Sequence, residues 1–197
     1  PKMLLFGSYG EKETLFKLKG EIEALFAGLR MKKASYTAEK NNPSYHPGRC
    51  ASISIDGEVI GVMGQVHPLV AKNYGIDSEV YCAELNFTKM LGLRLPDPTF
   101  TALPKYPAVS RDLALICSED ITVAQVEEVI SASAGKLLRK IQLFDIYRGV
   151  GVPEGKKSMA FSLQLRADDR TLTDSDSEAV VNNVLAAVKE QLNATLR

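Results

Sequence analysis

Tyr147 and Asp145 lie two residues apart in the run Leu143-Phe144-Asp145-Ile146-Tyr147. In an extended strand, residues two apart share a face. A tyrosine ring on a sheet is a stacking platform for an unpaired base, and a carboxylate beside it can accept hydrogen bonds from a base edge. On residue types alone the plainer readings come first: an edge tyrosine packed on a neighbouring loop, and a carboxylate that serves solubility. The stretch that follows, residues 148–157, is rich in glycine and carries Arg148, Lys156 and Lys157. These cations could touch phosphates. A mobile hairpin loop explains the stretch equally well, and no GxxxxGK[ST] pattern marks a phosphate-binding P-loop.

The rest of the chemistry-bearing inventory is thin. His46 and His67 are the two histidines, and each precedes a proline. A zinc or similar site needs three or four ligands, and no Cys/His cluster supplies them, so turn roles are expected and no metal ligand is assigned. No serine sits in a GxSxG elbow. Cys50, Cys82 and Cys117 are odd in number, far apart and without CxxC spacing, which points to a reducing, cytoplasmic setting. No apolar run reaches membrane-spanning length and no signal peptide is visible, so no membrane partner is expected. The opening at Pro1, in mid-pattern, suggests a piece of a longer protein.

Charge narrows the partners further. Lys plus Arg and Asp plus Glu each number 24 among the 197 residues. Up to Thr99 there are 12 basic and 11 acidic residues, and beyond it 12 and 13. Indiscriminate binding to nucleic acid runs on many phosphate contacts and predicts a basic excess. Neither half has one, which leaves room for a module that reads a few splayed bases and not for one that coats DNA.

The elements that would position these residues fall into two sets. Leu95-Pro96-Asp97-Pro98-Thr99, with Pro104 and Pro107 beyond it, predicts an extended connector, because proline removes donors and restricts its predecessor. The domains are accordingly placed at 1–95 and 104–197, with 96–103 as linker. The first part is read as opening with a helix, whose stripe is Leu15, Leu18, Ile22, Leu25, Phe26 and Leu29. Strands at 34–39, 50–55 and 59–66 follow, the last two joined by the hairpin signal Asp56-Gly57. A short helix at 68–74 and a strand at 79–86 complete an antiparallel α+β pattern.

The second part predicts a strand over 110–117, a helix from Thr122 with Gln125 as capping-box partner and Gly135 as its stop, and a strand over 139–147. Beyond loop 148–157 come a strand over 158–166, a helix near Ser175 with Glu178 as box partner, and a short strand at 194–196. The order β-α-β-β-α-β is the ferredoxin-like arrangement, in which both helices cover one sheet face. Met159, Phe161, Leu163 and Leu165 then belong to the core, as do Leu113, Leu115, Phe144 and Ile146. Alternation leaves Ala114, Asp145, Tyr147 and Ser158 on the open face.

Four ordered motifs within 104–197 resemble the ferredoxin-fold anticodon-binding domain of phenylalanyl-tRNA synthetase β subunits of the bacterial type. They are Tyr106-Pro107 with Ser110-Arg111-Asp112-Leu113-Ala114; Phe144-Asp145-Ile146-Tyr147-Arg148-Gly149; Pro153-Glu154-Gly155-Lys156-Lys157-Ser158-Met159-Ala160-Phe161; and Arg170-Thr171-Leu172-Thr173-Asp174. In the first part, His46-Pro47-Gly48-Arg49 and Gly64-Gln65-Val66-His67-Pro68 are similar to that subunit's signatures. The resemblance implies a class II synthetase-like antiparallel core domain without catalytic function, followed by an anticodon reader. It implies RNA contacts at Ala114, Asp145, Tyr147 and Ser158, with the tyrosine stacked on the first anticodon base. Arg148, Lys156 and Lys157 are candidate RNA backbone contacts. It also implies a phenylalanine tRNA and an α subunit as partners, in an α2β2 ligase whose ATP and magnesium are used outside this stretch. No catalytic residue and no cofactor is assigned here. A small-molecule regulatory module of ferredoxin-like shape is the main alternative. An iron–sulfur carrier fails on the single Cys117 of the second part, and an RNA-recognition motif fails on the sequence KKSMAFSLQL, which lacks the RNP1 aromatics.

Overall fold

The computed structural model describes residues 1–100 and 102–197, so Thr101, inside the expected linker, lies outside the described residues. The chain divides into two compact units, Pro1–Thr99 and Phe100–Arg197. Both are α+β with an antiparallel sheet.

The first unit starts with a strand, not a helix: β1 spans Met3–Tyr9 and precedes helix α1, Leu15–Gly28. Met3-Leu4-Leu5-Phe6 is apolar at every position, so alternation gives no sign of a half-buried strand. The structure resolves it by burying Leu4 and Phe6 partly against the core and exposing Met3 and Leu5. β2 (Ser35–Ala38), β3 (Tyr45–Ile55), β4 (Glu58–Val66) and β5 (Val80–Asn86) complete a sheet of order β1-β5-β4-β3-β2. The Asp56-Gly57 turn has positive φ at both residues, 52° and 81°, as the two-residue hairpin type requires. Leu18, Ile22 and Phe26 of α1 pack on Ile53, Ile55, Met63, Ala83 and Leu85. Short helices α2 (Pro68–Asn73) and α3 (Phe87–Gly92) follow β4 and β5; the latter was not expected.

The second unit has the ferredoxin-like order. Strand β6 (Val109–Ser118), helix α4 (Val123–Ala134), strands β7 (Leu138–Tyr147) and β8 (Lys156–Leu165), helix α5 (Asp174–Leu192) and strand β9 (Thr195–Leu196) run in sequence. Their sheet order is β7-β8-β6-β9, antiparallel throughout. Val126, Val129 and Ile130 of α4 and Val180, Val184 and Val188 of α5 bury one face. That face is built from Leu113, Leu115, Met159, Phe161, Leu163 and Leu165, the alternating set that the sequence marks out.

The Thr122–Gln125 capping box forms, and α4 ends at Gly135, with φ 67°. The α5 start differs from expectation. The box is Thr173 with Asp176, and Ser175 and Glu178 lie within the helix. Thr173 and Asp176 stand two residues ahead of the expected pair, in the same i, i+3 spacing. The earlier one wins because Asp176 also receives Arg170 at 2.9 Å, while Leu172 just before the cap is buried. Arg111 of β6 reaches the same helix start, donating to Asp174 Oδ1 at 2.7 Å and Ser177 Oγ at 3.0 Å. The motifs Arg170–Asp174 and Ser110–Ala114 therefore serve largely to fix α5 on the sheet.

Strand β7 departs from the expected pattern. Phe144 is 57% exposed and Ile146 38% exposed, so neither is core. Ile141 and Leu143 pack against the core instead. The cause is a bulge: Leu143 pairs with Phe161, but the next pair is Asp145 with Ala160, leaving Phe144 extra. A bulge inserts one unpaired residue and is favoured on edge strands, and β7 is an edge.

Candidate nucleic-acid interface

The helix-free face of the second sheet is laid out in rows set by strand register. Ala114 of β6, Ala160 of β8 and Asp145 of β7 form one row. Ile116, Ser158 and Tyr147 form the next, with Thr195 of β9 beyond Ile116. Thus Ala114, Asp145, Tyr147 and Ser158 occupy adjacent positions on a single face. The bulge is what puts Asp145 and Tyr147 there, since without it the parity of Ile141 and Leu143 would carry both residues to the helix side. Asp145 is exposed, and Ala114 and Tyr147 are half-buried. Ser158 was expected to be exposed and is not: it is 3% exposed, in the middle strand between Ile116 and Tyr147. The two central strands place Ala114, Ala160, Ser158 and the larger Ile116 on this face, bordered on β7 by a carboxylate and a phenol.

Tyr147 is held from two sides. Its hydroxyl donates to the Val150 carbonyl at 3.4 Å. A Cβ on Gly149 would lie 2.7 Å from the Tyr147 hydroxyl oxygen and 2.9 Å from Cζ, so the glycine after Arg148 makes the space in which the ring's polar end rests. On the ring face sits the guanidinium of Arg197, 4.8 Å from the centroid. Arg197 was not singled out by sequence reasoning. The contact joins residues 50 apart and depends on β9, whose two-residue length gives no periodic signal. Arg197 N–H also donates to the Ala114 carbonyl at 2.9 Å, extending the β6–β9 pairing.

The loop cations divide in their roles. Lys157 is buried and its ammonium donates to the Glu119 carbonyl at 2.8 Å. Arg148 pairs with the Glu119 carboxylate, Nε to Oε1 at 2.9 Å, and this hydrogen bond holds that carboxyl below the usual range. Glu119 N–H donates in turn to the Gly155 carbonyl. Residues 148–157 are thereby fastened to the turn after β6. Lys156 is half-buried.

In the first unit the histidines do the work of turns. His46 Nδ1 accepts from Gly48 N–H at 3.0 Å, and His67 Nδ1 accepts from Leu69 N–H at 3.2 Å as the N-cap of α2. Arg49 Nη1 donates to Gln65 Oε1 at 2.8 Å and Glu79 Oε1 at 2.9 Å, and Tyr81 hydroxyl donates to Glu79 Oε2 at 2.6 Å. The two histidine–proline motifs are linked through this network. The Tyr81 hydrogen bond, followed by Arg49, holds the Glu79 carboxyl low. Burial pushes the thiols of Cys50, Cys82 and Cys117 up, which disfavours thiolate chemistry. Among the described residues no group of three or more His, Cys, Asp or Glu is placed to hold a metal ion, and no helix is long and apolar enough to cross a membrane.

Comparison with known proteins bears on both units. Residues 104–197 match the family described as the ferredoxin-fold anticodon binding domain, and residues 3–87 match the phenylalanyl tRNA synthetase beta chain CLM domain. The phenylalanine–tRNA ligase beta subunit of Clostridium tetani is 40% identical over 194 residues, covering 98% of this chain and 24% of that protein. The corresponding subunit of Bacillus subtilis is 38% identical over 190 residues (95% and 24%), and that of Synechocystis 39% over 195 (97% and 24%). The chain thus spans about a quarter of the length of the curated relatives it matches.

Proposed function

The chain belongs to the phenylalanyl-tRNA synthetase β-chain family, and on that premise we propose that residues 104–197 read the anticodon of a phenylalanine tRNA on the helix-free face of their sheet. The observation that carries this reading is the placement of Tyr147 and Asp145 in adjacent rows at the border of that face. An unstacked base has a flat apolar face and a polar edge. The ring of Tyr147 suits the first and the acceptor-only carboxylate of Asp145 suits the second. Ala114 contributes by being small beside Asp145 and Tyr147, and Ser158 lies beneath Ile116 and Tyr147 in the next row. Of the loop cations, Arg148 and Lys156 are the candidates for the RNA backbone, Arg148 on exchanging its Glu119 partner for a phosphate, whereas Lys157 serves to build the loop.

Within the whole synthetase this stretch contributes recognition, and the ligation of phenylalanine with ATP and magnesium takes place elsewhere in an α2β2 assembly in the cytoplasm. Residues 1–95 form the non-catalytic class II-like core, 96–103 the connector, and 104–197 the anticodon-binding domain. The helix-free face of the first sheet, where Met3, Leu5 and Tyr9 are exposed, is the surface offered to the α subunit or to the rest of the β subunit.

The test replaces Asp145 by Asn in the intact enzyme and measures aminoacylation of tRNAs that differ in the first anticodon base. A carboxylate accepts only and an amide also donates, so Asp145→Asn should narrow the gap between native and altered tRNAs by roughly ten-fold, as expected for one base-edge contact worth about 1–3 kcal/mol. An unchanged gap would remove Asp145 from base reading.

A further inference from the structure

We infer that Arg197 is the second jaw of a base clamp, and that the anticodon base is held between its guanidinium plane and the ring of Tyr147. The inference rests on the anticodon reading above and adds a residue to it. Arg197 and Tyr147 come from opposite borders of the sheet, since β9 and β7 are its two edges. Three strand spacings separate these edges, roughly 14 Å at about 4.8 Å each. Neither side chain spans that distance alone, yet guanidinium and ring meet 4.8 Å apart. They meet beside the loop after β7, where the Tyr147 hydroxyl donates to the Val150 carbonyl and Arg197 Nη2 lies 3.9 Å from the place a Cβ on Gly151 would take.

The chemistry of both jaws is that of base recognition. A guanidinium is planar, delocalised and weakly hydrated, and it stacks on aromatic rings and on bases alike. In the free protein the two jaws close on each other. Admitting a base requires Arg197 to lift by about one stacking thickness, and it is exposed at the end of a two-residue strand. Tyr147 is the fixed jaw, tied at its hydroxyl to Val150 and seated against Gly149. Asp145, one row away, faces the edge of whatever lies between them.

The clamp has a readout that neither bulk charge nor folding would give. In the intact synthetase, affinity is measured for phenylalanine tRNA and for the same tRNA lacking its first anticodon base. Arg197→Ala should weaken the complete tRNA roughly three- to ten-fold, in the range of a partly desolvated cation–π contact, and leave the abasic tRNA unaffected. Arg197→Lys keeps the charge without the plane and should restore little. Arg197→Ala combined with Tyr147→Ala should lose less than the product of the single losses, because both residues grip one base. Unchanged or tighter binding by Arg197→Ala would make the arginine a mere cover and overturn the clamp. Full rescue by Arg197→Lys, equal loss with abasic tRNA, or independent effects in the double variant would also overturn it. If Tyr147→Ala is silent while tRNA still binds, the anticodon reading itself fails and the clamp falls with it. If Tyr147→Ala weakens binding and Arg197→Ala does not, only the clamp fails.

Discussion

Replacing Tyr147 by alanine in the whole enzyme is expected to weaken productive engagement of phenylalanine tRNA by roughly ten- to a hundred-fold. Base–aromatic stacking is worth about 1–3 kcal/mol per base by alanine substitution, and ~1.4 kcal/mol is tenfold. The ring is not part of the buried core, which lies on the other sheet face, so the loss should appear in KM for tRNA and leave the thermal transition nearly unmoved. Tyr147→Phe loses only the hydroxyl bond to Val150 and should retain most of the stacking. Steady-state aminoacylation over a range of tRNA concentrations checks both variants. An unchanged KM for Tyr147→Ala would return the tyrosine to the role of a packing residue and shift attention to the loop at 148–157.

Phe161→Ala is expected to have the largest effect on stability. Phe161 is fully buried at the centre of the second sheet, paired with Leu113 on one side and Leu143 on the other. Phe-to-Ala changes in cores cost about 3–5 kcal/mol, against a total of about 5–15 kcal/mol for a domain. The second unit should therefore lose a large part of its margin. The first unit has a core of its own, so native-state hydrogen exchange should show faster exchange across β6, β8 and α5 with little change in β3–β5. Equal acceleration in both units would mean that they unfold as one.

Where the sequence was informative, the physics was local and periodic. In β8 the run Met159, Phe161, Leu163, Leu165 alternates with smaller or polar residues because one face is buried under valines of two helices, whereas β6 is apolar on both faces over 113–117 and is the less legible strand. The Asp56-Gly57 turn and the Thr122–Gln125 cap are legible because two residues suffice to specify each. The failures are of another kind. The α5 start is misplaced because Ser175 and Glu178 match the usual capping-box pattern, whereas the box that forms uses the shorter Asp176 with Thr173 and is held by Arg170 from outside the helix. The bulge at Phe144 arises from edge-strand pairing, which no run of residues encodes by period. Asp145 and Tyr147 were placed on the open face by taking Phe144 as core. The face is right, but the bulge is the reason. Ser158 has the predicted parity, yet its neighbours Ile116 and Tyr147 bury it. The Arg197–Tyr147 contact spans the whole sheet and could be found only in three dimensions.

Photocrosslinking locates the bound anticodon directly. A phenylalanine tRNA carrying a photoreactive base at the first anticodon position is irradiated on the intact synthetase, and the modified peptide is identified by mass spectrometry. Attachment is expected on the helix-free face, at Tyr147 or Arg197 and their neighbours in β6–β9. Attachment to α4, α5 or residues 1–99, with those peptides unlabelled, would contradict it.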